Sequence, residues 1–186
     1  SILRFNINCV KNGHANEIVF VNDDPYEKAE SIQQCLKKDV DRILFVDFGI
    51  FINPETLEKC LDKHEGVGVL VFPGVLPGVD WSRFKEKVTG KCDEPMSQYG
   101  LTFDTDVTGQ KIGEDIHAVN KTSARAWMMM VKPVRKKIDK VHPKDMFTKM
   151  KESGVNIYAY TDAKLTMTYP HECISNTLNA AGVKAK

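Results

Sequence analysis

A single carboxylate, Asp47, interrupts the apolar run Arg42-Ile43-Leu44-Phe45-Val46-Asp47-Phe48-Gly49-Ile50-Phe51-Ile52, which then leads into Asn53-Pro54. An acid at the carboxyl end of a buried strand is where an α/β protein presents chemistry to a ligand crevice, so Asp47 is the first candidate site residue. Asp also ends strands by capping a turn, and this run alone leaves both readings open. A second acidic pair, Asp104-Thr105-Asp106, would put two carboxylates on one face of a strand, as joint metal binding requires; its nearness to Gly109 favours a hairpin turn instead. His117 with Glu114-Asp115 could line the same cleft, although a solvated acidic loop explains them more simply. Lys132, Arg135, Lys136 and Lys137 form a basic cluster suited to a solvated helix face or to a diphosphate.

The cysteines offer less. Cys9, Cys35, Cys60, Cys92 and Cys173 are scattered singly, without the paired spacing of a zinc site, and an odd, dispersed set argues for reduced thiols. Cys35 and Cys60 fall on apolar helix faces as small core residues, and none has the setting of a nucleophile. Asn120-Lys121-Thr122 fits the glycosylation acceptor pattern, which carries little weight without a secretory signal.

These residues need elements to position them. Ile2 to Val10 and Glu17 to Asn22 read as two opening strands, joined by a turn at Lys11-Asn12-Gly13-His14. Asp24-Pro25 begins a helix to about Lys38, with Ala29, Ile32 and Leu36 on its apolar stripe. Asp41 to Asp47 is a strand, and Asn53-Pro54 repeats the cap-plus-proline device before Leu57, Cys60 and Leu61. Val67 to Phe72 is a further strand, followed by a Pro-Gly-rich loop and a short helix capped by Asp80. Short β pieces from Leu101 to Val119 surround a turn at Thr108-Gly109-Gln110, and Ala126 to Val131 is a continuous apolar strand. Pro143 opens a last helix stopped by Gly154, before strands at Val155 to Tyr160 and Leu165 to Tyr169.

Length and charge narrow the classes. The 186 residues, 42% of them hydrophobic, suit one domain with one substantial core. With 26 basic against 25 acidic residues, no polyanion partner such as a nucleic acid is indicated. The apolar stretches are interrupted by Asp47, Pro73 and Pro77, well short of the roughly 20 residues of a membrane span. Ser1-Ile2-Leu3-Arg4 lacks a signal-peptide plan, which makes the cytoplasm the expected location, and the start without Met fits a segment processed or excised from a longer polypeptide.

Ser31-Ile32 in a helix, then Asp41-Arg42-Ile43-Leu44-Phe45-Val46-Asp47, then Asn53-Pro54 resembles the nucleotide-sugar-binding half of GT-A fold glycosyltransferases, notably compact ones from large DNA viruses and bacteria. The resemblance, running from about Tyr26 onward, implies an α/β fold with a mixed, mainly parallel central sheet flanked by helices on both faces. It implies transfer of a sugar from a nucleotide-diphosphate donor, by analogy a UDP-sugar, to a glycan or protein-linked acceptor. In that family the strand ends in Asp-x-Asp, whose carboxylates hold a divalent cation, manganese or magnesium, against the donor diphosphate. Asp47 matches the first aspartate, and Gly49 stands at the second, so metal affinity should suffer. Asp145, in Lys144-Asp145-Met146-Phe147, resembles the family's acidic residue beside the acceptor and inherits the expectation of a catalytic role. His171, in Thr168-Tyr169-Pro170-His171-Glu172, resembles the histidine that completes metal coordination.

Other departures matter as much. Glu30-Ser31 lies where the family commonly carries Arg-Asn, and a short turn replaces the helix usually inserted between the opening strands. A kinase reading of Asp47-Phe48-Gly49 fails, because no Gly-rich loop, strand lysine or His-Arg-Asp loop accompanies it. Two expectations follow: a working glycosyltransferase, or a catalytically degenerate domain of that fold with a structural or acceptor-binding role in a larger protein.

Overall fold

The computed structural model describes residues 2–90 and 92–168. Its first element corrects the sequence reading. Ile2–Lys11 forms helix α1 rather than a strand, with Cys9 buried and Leu3, Ile7 and Val10 exposed. The alternation at Phe5, Ile7 and Cys9 mimics a strand, but Phe5 and Cys9 are also one helical turn apart, and a helix satisfies its backbone without needing a partner strand. Glu17 to Asn22 forms no strand, and Phe20 is 93% exposed.

The capped helices form as read. Asp24 accepts the backbone N–H groups of Tyr26 and Glu27, both at 2.9 Å, and starts α2 (Pro25–Lys37). β1 (Arg42–Val46) and β2 (Ile50–Ile52) follow, and Asn53 accepts the Glu55 N–H to open α3 (Pro54–Lys59). Next come β3 (Val69–Val71), α4 (Trp81–Thr89, capped by Asp80), β4 (Thr105–Gly113) and β5 (Ile116–Thr122). The chain continues through β6 (Ala126–Met130), α5 (Val131–Arg135), α6 (Met146–Glu152), β7 (Ile157–Tyr160) and β8 (Leu165–Met167).

Six strands make one sheet in the order β1-β6-β3-β7-β5-β4, and β2 pairs with β8 in a second small sheet. The expectation of a mainly parallel sheet is overturned, since within the six-stranded sheet β3–β7 is the parallel pair and every other neighbouring pair is antiparallel. The cause lies in the second half of the chain. There β4 and β5 are joined by a tight hairpin and β6 inserts between β1 and β3 in the opposite sense, connections that need no crossover helix. The hairpin turn is at Glu114-Asp115, not at Thr108-Gly109-Gln110. Those residues form a bulge, four steps from Val107 to Lys111 facing two from Val119 to His117.

Side chains alternate between two cores. Val69, Val71, Trp127, Met129, Ile157 and Ala159 face α2, α5 and α6, while Leu70, Phe72, Ala126 and Met128 face α3 and the small sheet. Because β1 and β3 both oppose β6, and β7 runs parallel to β3, these three strands end at one common edge. Asp47 sits there, beside the start of β6. Among the described residues no helix is long and apolar enough to cross a membrane.

Candidate functional site

Asp47 is fixed by its backbone before its side chain does anything. Its N–H donates to the Arg125 carbonyl at 2.9 Å, extending the β1–β6 ladder by one bond. The carboxylate then meets two cations. Oδ1 accepts from Lys28 Nζ at 3.1 Å and from the Phe48 N–H at 3.0 Å, and Oδ2 accepts from Arg125 Nε at 3.1 Å. Arg125 also donates to the Phe48 carbonyl at 2.8 Å, which clamps the turn after β1. Lys28 stands one turn into α2, so the Asp24-Pro25 cap sets its position; its ammonium also pairs with Asp23 and lies 5.9 Å from the Phe45 ring centre.

The electrostatics follow from this contact set. Burial alone would raise the Asp47 carboxyl, but the hydrogen bonds from Arg125 and Lys28, with the Lys28 charge, outweigh it and hold the group below the usual carboxylate range. Burial would lower the Lys28 ammonium, and Asp23 and Asp47 reverse that and raise it. Asp47 is therefore an ionised carboxylate whose charge is already matched on both oxygens.

Gly49 has a steric reason to be glycine. Its φ is +78°, and a Cβ there would lie 2.7 Å from the Thr168 carbonyl oxygen, whose residue also donates its N–H to the Gly49 carbonyl at 2.8 Å. A carboxylate at position 49 would need the β2–β8 strap to move. Around Asp47 the described residues supply its own carboxylate, with both oxygens engaged by cations, and that of Asp23 on the same Lys28 ammonium. Among the described residues no group of three His, Cys, Asp or Glu is placed to hold a metal. His171 lies outside the described residues.

Asp145 occupies the cap position of α6 with a left-handed φ of +54° and makes no side-chain capping bond. Two residues on, Phe147 meets Trp127 edge-on at 5.8 Å, and Trp127 stacks on Phe45 at 5.1 Å. This aromatic ladder brings the start of α6 to the same end of the sheet as Asp47. The basic cluster goes elsewhere. α5 follows the far end of β6, a five-residue strand away from Asp47, or about 16 Å. Lys132 pairs there with Asp41 at 3.3 Å, and Arg135 donates to the Lys38 carbonyl. Glu30, exposed on α2, accepts from Gln34 at 3.3 Å.

Asp104 proves more unusual than the sequence suggests. It is 7% exposed; Oδ1 accepts from the Gly74 N–H at 3.0 Å and the Thr105 hydroxyl at 2.8 Å, while buried Oδ2 has no hydrogen-bond partner of good geometry. Burial pushes this carboxyl above its ordinary value, against hydrogen bonds from the Gly74 amide, the Thr105 hydroxyl and the Arg125 backbone amide and against the Arg125 charge. Asp106 points to solvent and accepts from Asn120 Nδ2 at 2.8 Å, so the two acids have separate partners. His117 pairs with Ala159 inside the sheet, away from the Asp104 cleft. Cys60, buried, has its thiol pushed up to about 12 by burial, which suits a packing role; Cys35 is half-buried.

Lys28 and Arg125 escape a motif-based reading, because neither belongs to an acidic motif. A usable signal existed for Arg125: it is the charge immediately preceding the apolar run Ala126 to Val131. No family model matches the chain, and no curated protein matches it. Its fold is similar to that of the viral protein A197 from STIV, with a TM-score of 0.52 and 14% identity over 87% of this chain and 76% of that one. The likeness establishes a shared mixed α/β fold.

Proposed function

We propose that this chain is a catalytically degenerate relative of the sugar-nucleotide transferases, serving a structural or acceptor-binding role, with further domains of a longer polypeptide as its natural context. The observation that supports this reading is the state of Asp47: both carboxylate oxygens accept from Lys28 and Arg125, and the neighbouring position 49 excludes a second carboxylate. A donor diphosphate would arrive without its bridging cation and beside two cations whose charge Asp47 and Asp23 already balance, which gives it little to bind. The alternative of a working transferase with Asp47 and His171 on manganese and Asp145 facing the acceptor requires Lys28 and Arg125 to release Asp47. Calorimetric titration of uridine diphosphate, with and without manganese, separates the two. Silence in both titrations is expected; micromolar, manganese-dependent binding would overturn the degenerate reading.

A further inference from the structure

The loop after β3, the start of β4 and the end of β5 line an open cleft of about 250 Å³. That is below the roughly 300–1,000 Å³ typical of sites for drug-sized ligands, so a single small ring suits it better than a nucleotide. Its walls are chemically mixed. Leu76 and Phe103, 37% and 45% exposed, form an apolar side. Asp104 and Asp106 bring acceptors, and Lys121 and Ser123 bring donors. Thr122 is tied back, sharing a 2.8 Å hydrogen bond with Thr105 and accepting from the Ala124 N–H at 3.0 Å, so this part of the wall is pre-ordered.

The wall composition discriminates among ligands. A bare cation is opposed by the Lys121 ammonium, an anion by two carboxylates, and a purely apolar molecule would strip water from all of these groups without return. A neutral ring with an apolar C–H face and a rim of hydroxyls matches every wall. The second observation is the orphan oxygen. Asp104 Oδ2 is buried with no hydrogen-bond partner of good geometry, and a ligand hydroxyl reaching it would supply one.

We propose that this cleft is a binding site for one neutral sugar ring, seated against Phe103 and Leu76 with its hydroxyls on Asp104, Asp106 and Lys121. The proposal rests on the acceptor-binding side of the function proposed above and is tested apart from the donor side. Amide chemical shifts of the full chain are followed by nuclear magnetic resonance while methyl α-D-glucopyranoside, methyl β-D-galactopyranoside and methyl α-D-mannopyranoside are titrated separately into the millimolar range. At least one sugar should give saturable shifts centred on Leu76, Phe103, Lys121 and Ser123, and Asp104→Asn should weaken that binding about tenfold, or about 1.4 kcal/mol. Lys121→Met, at an exposed position, should also weaken it and keeps the test decisive if the buried substitution fails to fold. Saturable shifts absent for all three sugars, centred on Asp47 instead, or unchanged in Lys121→Met would overturn the proposal. A positive uridine diphosphate titration would overturn the degenerate donor site while leaving the cleft intact, so the two failures are distinguishable.

Discussion

Asp47 has a structural task whether or not it has a chemical one. Seen as a strand-end acid, it should be removable without harm to the fold; with Lys28 and Arg125 on its two oxygens, its loss takes the shared carboxylate from two partly buried cations and leaves Lys28 to Asp23. Asp47→Ala should therefore lower stability by about 2 kcal/mol, read as the urea midpoint at constant slope. An unchanged midpoint would show that the two cations find solvent instead. Gly49→Asp would be a natural attempt to rebuild the Asp-x-Asp pair, and the geometry predicts its failure. The left-handed backbone and the Thr168 carbonyl should make it destabilising by about 2 kcal/mol, with no gain in manganese affinity by calorimetry. A stable, manganese-binding variant would contradict the steric argument. The sequence exposed Asp47 and Gly49 as the informative pair, but their meaning depends on Lys28, Arg125 and Thr168, which are distant in the chain and adjacent in space.

At the scale of elements, the site depends on where α2 begins. Asp24 fixes that start, and Lys28 follows within the first turn. Asp24→Ala should lower stability by about 1 kcal/mol, as for other lost helix caps, and should release part of the Lys28 contact to Asp47. A thermal melt checks the first effect, and the Asp47 carboxyl carbon shift in an acid titration checks the second: its pKa should move up toward the ordinary range. Caps of this kind were readable because Asp-Pro and Asn-Pro encode their own geometry within a few residues. The opening segment was not, because Phe5, Ile7 and Cys9 satisfy a strand pattern while Phe5 and Cys9 also satisfy a helical one. The Thr108-Gly109-Gln110 signal likewise marked a real irregularity in β4, and only pairing with β5 determined that it was a bulge and not the turn.

For the molecule as a whole, two carboxylates pull the pH dependence of stability in opposite directions. Asp47 is depressed in the folded state, so the stability it contributes is present above the ordinary carboxylate range and is lost as pH falls through its folded value. Asp104 is raised, so the fold is favoured by its protonation, and that contribution is lost as pH rises from the ordinary carboxylate range through its folded value. Asp104→Asn should accordingly gain stability relative to the parent on going from acid to neutral pH, measured as the difference in urea midpoint at pH 4 and pH 7. A difference independent of pH would mean that Asp104 titrates normally.

The sequence by itself determined the local features: the capped helices at Pro25 and Pro54, the apolar strands within Asp41 to Asp47 and Val67 to Phe72, the balanced charge and the single acid at the end of β1. Each of these is encoded by residues within one or two turns of one another, where backbone preference and side-chain capping act directly. Tertiary structure alone decided strand order and direction, because an apolar run such as Ala126-Trp127-Met128-Met129-Met130 is equally buried in a parallel or an antiparallel pair. It also decided the state of Asp47 and Asp104. A carboxylate's charge, partners and exposure are set by groups from Lys28 to Arg125 that the fold brings to one edge, and no spacing along the chain records that meeting.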